Sequence, residues 1–320
     1  MRRFAYYFVI CFILVLCIFA QLTLRLSVDD LSQATLREFI IWELRLPRLL
    51  IALLIGSTLA LVGGSFQILF RNPLATPSTV GTTAGATLGA LIALTFGLDG
   101  ALGISAVTLC AFAGALCATS LVLSVATTSR ARIEEILLAG IAITLAAGAV
   151  SQGLHLVAEQ NALFAAAQWS LGQLPQVGYD RVLLLLGPVI LCHLALISQR
   201  RSLMTLSWGE ERAASVGVNT RRVRLLLLLG GCLGVGAAVA LCGPIAFVGL
   251  LVPHLVRQFL GEQAGLDLGV ISFSGAVFLL ASDTLAQFGL PGTEVPVGVV
   301  TASLGAPALF VLILRKRPRA

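Results

Sequence analysis

The sequence predicts an all-α, polytopic integral membrane protein with about ten transmembrane helices. The 320-residue chain is 58% hydrophobic and only 11% charged, and its mean hydropathy is +0.99. Soluble domains, by comparison, carry roughly 25% charged residues. The apolar residues fall into windows close to the length of about 20 residues that a helix needs to cross a bilayer. This composition excludes an ordinary soluble domain.

Ten charge-free windows are candidate spans. In chain order they cover approximately residues 4–24, 46–70, 79–97, 101–126, 135–158, 182–199, 223–241, 245–260, 268–288 and 296–314. We interpret the first as a retained span and not a signal peptide, because bulky residues precede Cys17 where cleavage would require small ones. The eighth window is short and the last two lie close together, so partial or re-entrant helices would fit there.

The distribution of basic residues predicts the orientation of the spans. An even number of spans places both termini on one side, which carries sixteen of the 21 Lys and Arg residues, while the other side carries five. Because cytoplasmic loops are enriched in basic residues, the termini and the loop at residues 200–222 are predicted to be cytoplasmic. The five exceptions are Arg25, Arg37, Arg45, Arg48 and Arg181. They either reach lipid headgroups or meet an acidic partner outside.

Residues 207–222 form the longest strongly polar segment between apolar spans. Glu210 to Val216 combines small and charged residues of good helix propensity, and Gly217 follows as a C-cap. The pattern predicts a short helix outside the bilayer. From the residues alone, this helix is either a docking surface for another protein or part of an ordinary solvated loop.

The spacing of small residues predicts closely packed helices. Gly81, Gly85 and Gly89 recur every four residues, as do Gly230 and Gly234, and such faces let helices approach each other in lipid. The chain shows no internal repeat and no linker. Residues 1–320 are therefore predicted to form a single domain.

Few side chains within the spans indicate chemistry. Asp283 costs roughly 2.5–3.5 kcal/mol at mid-helix, so it should either carry protons or bond a neighbouring helix. The three histidines are dispersed and the seven cysteines lack CxxC spacing, so neither a metal site nor a disulfide framework is predicted. Asp283, Gln287, Asn72 and His254 are interpreted as structural polar residues in the membrane.

The sequence also lacks the motifs of an enzyme that acts alone. Intramembrane proteolysis needs a Ser–His pair or two facing acids, and neither pattern is present. No GxxxxGK[ST] loop for nucleotide phosphates occurs. If ATP drives this protein, the ATPase is therefore a separate chain.

An ordered series of motifs covers the chain from about residue 40 to 314. The motifs are Leu44–Arg48, Gly64–Gln67, Arg71–Pro77, Gly81 with Gly85-Ala86, Ile136–Gly140, Trp169–Gly172, Gly209 with Ala213 and Val216–Val218, Gly243–Arg257, and Glu294–Thr301 with Leu304–Pro307. In this order they resemble the permease family of bacterial ABC importers for iron-siderophores, haem and vitamin B12, the FecCD type. One such motif would be a weak signal, whereas the ordered series is specific.

The resemblance implies a type II ABC importer permease architecture and a set of partners. These are a second permease subunit, identical or related, two cytoplasmic ABC ATPases, and a periplasmic or lipid-anchored substrate-binding protein. The chain itself would bind no cofactor, metal or nucleic acid, since ATP and Mg²⁺ belong to the ATPase. Its expected location is the bacterial inner membrane.

The resemblance further implies roles for individual residues. Coupling helices in a loop at about residues 203–222 would contact the ATPase. The candidates in this loop are Trp208, Gly209, Glu210, Glu211 and Arg212, with Ala213, Ala214 and Gly217 allowing close approach. Arg45 and Arg48 would dock the binding protein. Thr127, Thr128 and Ser129 would form the inner gate, and Thr144, Gly148 and Ser151 are candidates along the pathway.

Two departures from the family pattern concern partner choice. Gln287 lies four residues after Asp283, at a position where one type of family member has an arginine. The chain therefore lacks one docking charge there, and the i,i+4 partner of Asp283 is neutral. Glu262-Gln263-Ala264-Gly265 replaces an Asp-His-Arg-like stretch. The predicted function is an ATP-driven permease for an iron-siderophore or a related chelate such as haem or cobalamin. The alternatives are an ion-coupled secondary transporter that uses Asp283 and, less favoured, an intramembrane enzyme.

Overall fold

A computed structural model describes residues 2–23, 34–101, 103–127, 133–175, 178–261, 267–289 and 294–315. All the regular elements of this part of the chain are helical. They are α1 (Arg2–Thr23), α2 (Ala34–Phe39), a π-helical segment (Ile40–Arg45), α3 (Leu46–Leu69), a 3₁₀ turn (Pro77–Val80), α4 (Thr82–Thr95), α5 (Ala106–Ala126), α6 (Ile133–His155), α7 (Gln160–Ser170), α8 (Tyr179–Ser198), α9 (Arg200–Leu206), α10 (Glu210–Ser215), α11 (Thr220–Cys242), α12 (Val248–Leu260), α13 (Leu268–Phe288) and α14 (Val297–Arg315).

The apolar helices confirm the ten predicted windows. Among the described residues, seven helices are long and apolar enough to cross a membrane, and three shorter apolar helices accompany them. Each of these ten overlaps one window. The predicted eighth span is indeed short, because α12 has 13 residues. The third window begins differently from the prediction, since a 3₁₀ turn precedes α4 and Gly81 caps that helix with a φ of +80°.

Helix α3 is the centre of the bundle. It packs against α8, α11, α12 and α13, and it is buried along most of its length. By contrast, α1 lies at the edge on α12 and α13, and α6 leaves most of its side chains exposed. Apolar side chains on such exposed faces are expected where lipid is the solvent.

Small residues bring the helices together as predicted. Gly85 and Gly89 of α4 lie directly against the backbone of α5 at Gly114 and Cys110, where the structure leaves no space for a Cβ. Gly230 and Gly234 of α11 pack in the same way on side chains of α8, including Cys192. The absence of side chains at these positions lets neighbouring helices approach closely and form van der Waals contacts in lipid.

The polar segment between α8 and α11 contains two short helices, α9 and α10. Helix α10 begins at Glu210, as predicted, and ends at Ser215, one residue before the predicted end. Gly217 has a φ of +81°. Its N–H donates to the carbonyl of Ala214 (3.0 Å), and the N–H of Val218 donates to that of Ala213 (2.9 Å). This pair of bonds is a Schellman motif, in which the left-handed Gly217 directly follows the C-cap Val216 and ends the helix.

Candidate functional site

A buried ion pair joins the start of α3 to α13. The Nη2 of Arg48 lies 2.9 Å from Oδ1 of Asp283, and its Nε lies 3.2 Å from Oδ2. Asp283 is fully buried and Arg48 is 9% exposed. A planar guanidinium that faces both carboxylate oxygens forms a strong, charge-assisted contact. It neutralises an acid that would otherwise be costly within the membrane.

Two amides complete the hydrogen bonding of Asp283. Oδ2 accepts from Nε2 of Gln21 on α1 (2.9 Å) and from Nε2 of Gln287, one turn along α13 (2.6 Å). Gln287 is thus the neutral i,i+4 partner that the sequence predicts. Asp283 thus bonds two other helices, α3 through Arg48 and α1 through Gln21, which supports its interpretation as a structural polar residue.

Both arginines predicted to dock a binding protein have partners within the chain. Arg48 also contacts Glu294, with 3.1 Å between Nη1 and Oε2, and the Glu294 side chain is 48% exposed. Nη1 of Arg45 donates to the backbone carbonyl of Gln21 (2.8 Å). The alternative that Arg48 reaches lipid headgroups is wrong, because its guanidinium lies inside the bundle. Docking by Arg45 and Arg48 stays a prediction.

A cavity of about 500 Å³ lies beside this ion pair. It is formed by the first turns of α3 and α8, the end of α11, and the segments that follow α7 and precede α14. Its lining consists of Arg48, Trp169, Gln173, Leu174, Pro175, Arg181, Leu241, Cys242, Glu294, Val295, Pro296 and Val297. Two guanidinium groups, one carboxylate and one amide therefore face a space whose remaining walls are mainly apolar.

Around the cavity, three glycines allow backbone segments to lie in close contact with one another. Gly172, Gly243 and Gly298 each lie against a backbone carbonyl of another segment, so that a Cβ at any of them would collide with it. The N–H of Gln173 donates to the carbonyl of Cys242 (2.7 Å), and that of Gly298 donates to the carbonyl of Gly172 (3.1 Å). These contacts give a structural reason for the glycines in three of the sequence motifs.

The opposite end of α11 contacts α10 through a second ion pair. Nη2 of Arg224 lies 2.7 Å from Oε1 of Glu210, and Arg224 is 7% exposed. Glu210 therefore binds within the chain, a role that the sequence prediction of ATPase contact did not include. Ala213 is also fully buried against the bundle, so its side chain packs within the chain; close approach of a partner at Ala213, Ala214 and Gly217 stays a prediction.

Other predicted coupling residues form an exposed surface. Trp208 is 73% exposed, and Glu211, Arg212, Ala214 and Gly217 are exposed as well. Gly209, at the N-cap of α10, has a φ of +130° that disfavours any side chain. Tryptophan and arginine are enriched at protein-binding surfaces, and contact of this exposed surface with an ATPase stays a prediction.

A polar cluster that the sequence prediction did not assemble links α3 to α12. Nε2 of Gln67, which is buried, donates to the carbonyl of Gly249 (3.2 Å), and Oε1 of Gln67 accepts from Arg257. His254 binds the carbonyl of Leu250 through Nδ1 (2.9 Å), which supports its interpretation as structural. Gln67 and Arg257 both occur in the ordered motifs, but their contact spans 190 residues of chain.

The remaining predicted site residues occupy varied positions. The Oγ1 of Thr144 donates to the carbonyl of Gly140 (2.8 Å), and Gly148 and Ser151 lie on the same, largely exposed helix α6. Thr127 caps α5, whereas Thr128, Ser129 and the 262–265 stretch lie outside the described residues.

Asn72 was predicted to be a polar residue within the membrane, but it lies after the end of α3 and not in a helix. Its Oδ1 accepts a hydrogen bond from the N–H of Leu74 (2.9 Å). In the described ranges no three His, Cys, Asp or Glu residues are placed to hold a metal ion.

Comparison with known proteins identifies relatives along nearly the whole chain. A family model described as the FecCD transport family matches residues 7–315. The hemin transport system permease protein HmuU of Yersinia pestis is 38% identical over 282 residues, which cover 87% of this chain and 84% of that protein. The vitamin B12 import system permease protein BtuC of Vibrio cholerae is 36% identical over 314 residues, which cover 97% and 93%.

Solved structures show the same fold. An ABC transporter described as inward-facing and of the metal-chelate type superimposes with a TM-score of 0.84 at 27% identity, covering 96% of this chain and 99% of that one. PsaBC from Streptococcus pneumoniae, solved with a Fab, gives a TM-score of 0.57 at 18% identity, covering 89% and 94%. The second similarity concerns the fold alone.

Proposed function

Because this chain belongs to the FecCD transport family, we propose that its cargo is an iron-siderophore or a related chelate such as haem or cobalamin. The chain is a multi-pass ABC importer permease for metal chelates, and it is not itself catalytic. The named relatives transport hemin and vitamin B12, which are both bulky metal chelates. The siderophore assignment goes beyond them and is made from the resemblance to a permease family that also includes importers of iron-siderophores.

The proposal includes a cytoplasmic position for both termini in a bacterial inner membrane. The excess of basic residues on the side of the termini supports it. Helix α10 then lies at the cytoplasmic end of α11, and the cavity beside Arg48 lies at the outer end. We treat residues 1–320 as one permease domain, because the described helices form one connected set of contacts with α3 at its centre.

The proposed coupling rests on one observation: an exposed surface, here called the docking surface, is attached to helix α11 inside the bundle. Trp208, Glu211 and Arg212 are exposed at the inner end, while the Glu210–Arg224 pair anchors α10 to α11. Of the two partner ATPases, which would hold ATP and Mg²⁺, one docks on this surface and the other on the second permease subunit. Movement of α10 during ATP hydrolysis is then transmitted to α11.

The proposed pathway runs along α6, next to a second permease subunit. Leu138, Ile141 and Leu145 are exposed on this helix, with Thr144 and Ser151 half-buried among them. A face with a few small polar groups and no charge would guide a bulky chelate without holding it. The inner gate at Thr127 to Ser129 and docking of a binding protein through Arg45 and Arg48 are part of this proposal.

The alternative, an ion-coupled transporter, uses Asp283 as its ion site. In this structure both carboxylate oxygens already accept hydrogen bonds from Arg48, Gln21 or Gln287. A carboxylate held in this way is a poor site for a proton or Na⁺, because its charge is already neutralised. This observation favours the ATP-driven function.

Uptake into proteoliposomes distinguishes the two functions. The permease is reconstituted with its partner ATPase and binding protein and supplied with radioactive iron chelates. We expect uptake that needs ATP inside the liposomes and no ion gradient. Uptake driven by a proton or Na⁺ gradient without ATP, and abolished by Asp283→Asn, would establish the alternative instead.

A further inference from the structure

The cavity beside Arg48 lies at the end of the bundle opposite the docking surface. Helix α11 connects the two, since Arg224 near its start binds Glu210, whereas Leu241 and Cys242 at its end line the cavity. At 1.5 Å per residue, the 23 residues of α11 span about 34 Å, roughly the hydrocarbon thickness of a bilayer. A ligand in this cavity would therefore be at the outer mouth of the permease.

The two arginines of the cavity differ in their charge balance. Arg48 already has two carboxylate partners, Asp283 and Glu294. Arg181, at the start of α8, is exposed and takes part in none of the ion pairs of the described residues. Among the described residues, the guanidinium of Arg181 is therefore not in an ion pair, although the charges of Arg48, Arg181, Asp283 and Glu294 together sum to zero.

The remaining walls suit a partly apolar ligand. Trp169, Leu241 and Pro296 provide an apolar surface, and Gln173 places an amide beside the arginines. A volume of about 500 Å³ is within the range of small-molecule sites. Pockets of this kind combine apolar walls with a few polar groups that orient the ligand. The backbone contacts of Gly172, Gly243 and Gly298 hold these walls in a defined shape.

We propose that this cavity is an entry subsite for anionic metal chelates, in which Arg181 binds a carboxylate of the chelate. The inference rests on the proposed function, because it takes the cargo to be a metal chelate. Glu294 shares the cavity and repels the incoming anion, because Arg48 is already neutralised by Asp283. Trp169 covers the apolar part of the ligand. The cavity thus distinguishes carboxylate-bearing chelates from uncharged ones before they enter the pathway.

The test measures binding of two ferric chelates to the purified permease in lipid nanodiscs. The probes are ferric citrate, which is anionic, and a neutral ferric tris-hydroxamate, and binding is followed by equilibrium dialysis of radioactive iron. We expect Arg181→Gln to weaken ferric citrate binding about 10-fold, the effect of losing one charge-assisted hydrogen-bonding partner. Arg181→Lys should restore part of the affinity, and Glu294→Gln should increase it. Binding of the neutral chelate should stay the same in all three variants.

Arg37→Gln provides the matched control. Arg37 is another exposed arginine predicted to lie outside, but it does not line the cavity. If Arg37→Gln weakens ferric citrate binding as much as Arg181→Gln, only the overall surface charge matters and the inference fails. It also fails if the wild-type permease shows no preference for the anionic chelate, or if Arg181→Gln weakens binding of both chelates equally.

Two further measurements distinguish a chelate subsite from a docking charge and from a failure of the proposed function. If Arg181→Gln weakens binding of the partner binding protein but leaves chelate binding unchanged, Arg181 is a docking charge and the subsite proposal is overturned. The proposed function is tested separately, by ATP-dependent uptake in the complete complex. If the complete complex takes up no metal chelate at all, the proposed function is refuted. If the complex takes up chelates normally and Arg181→Gln binds ferric citrate as tightly as the wild type does, only the subsite is refuted.

Discussion

Removing one partner of the Arg48–Asp283 pair should destabilise the permease strongly. Asp283→Leu leaves the buried guanidinium of Arg48 with Glu294 as its remaining carboxylate, and it also removes the acceptor of Gln287 and one of the two acceptors of Gln21. Arg48→Met leaves a fully buried carboxylate without its cation. Breaking a buried pair in this way costs about 3–5 kcal/mol, because the remaining charge is not compensated.

The double variant Arg48→Met with Asp283→Leu should recover much of this loss. Replacing a whole buried ion pair by apolar residues of similar size is often neutral, since the desolvation cost of both charges disappears. The coupling free energy of the double-mutant cycle should therefore be a few kcal/mol and favour the double variant over the sum of the single ones. For a chain of this length, a loss of about 4 kcal/mol corresponds to a decrease in Tm of about 6 °C.

Thermal unfolding of the purified permease in detergent measures these effects. Arg200→Gln is a matched control because its partner Asp267 is 3.2 Å away in an ion pair that is substantially exposed. That substitution should cost at most about 1 kcal/mol. If Asp283→Leu lowers the Tm no more than Arg200→Gln, or if the two buried substitutions are simply additive, the Arg48–Asp283 contact does not stabilise the bundle as the structure indicates.

Three other predictions concern the docking surface and the helix packing. Glu211→Arg or Trp208→Ala should reduce co-purification of the ATPase without changing the Tm, because both side chains are exposed; unchanged co-purification by both would place the dock elsewhere. Arg224→Gln should still bind the ATPase but should lower the amount of chelate taken up per ATP hydrolysed, because it removes the ion pair between α10 and α11. A normal ratio of uptake to hydrolysis would contradict this coupling route. Gly89→Val should lower the Tm by overpacking the contact of α4 with α5. Gly148→Val is its control, because no atom lies within 4 Å of a Cβ built there, and equal losses of stability would refute the packing argument.

Much of the fold could be predicted because it depends on short stretches of chain. Hydropathy over about 20 residues locates the apolar helices, and Gly217 ends α10 because its own backbone adopts positive φ. The recurrence of Gly85 and Gly89 indicates a close helix contact even when the partner helix is unknown. The neutral partner of Asp283 was predictable for the same reason, since Gln287 lies one helical turn away.

A bundle of about ten apolar helices with a charged segment at one end can be read from the amino-acid sequence, because these properties follow from local composition and helical periodicity. Which charges remain available to partners depends instead on how the helices pack. This packing places Arg48 on Asp283, 235 residues away, and Glu210 on Arg224, and it leaves Arg181 and Trp208 exposed. An ion pair forms only where two helix ends meet in space, and that arrangement is set by the packing of the whole bundle.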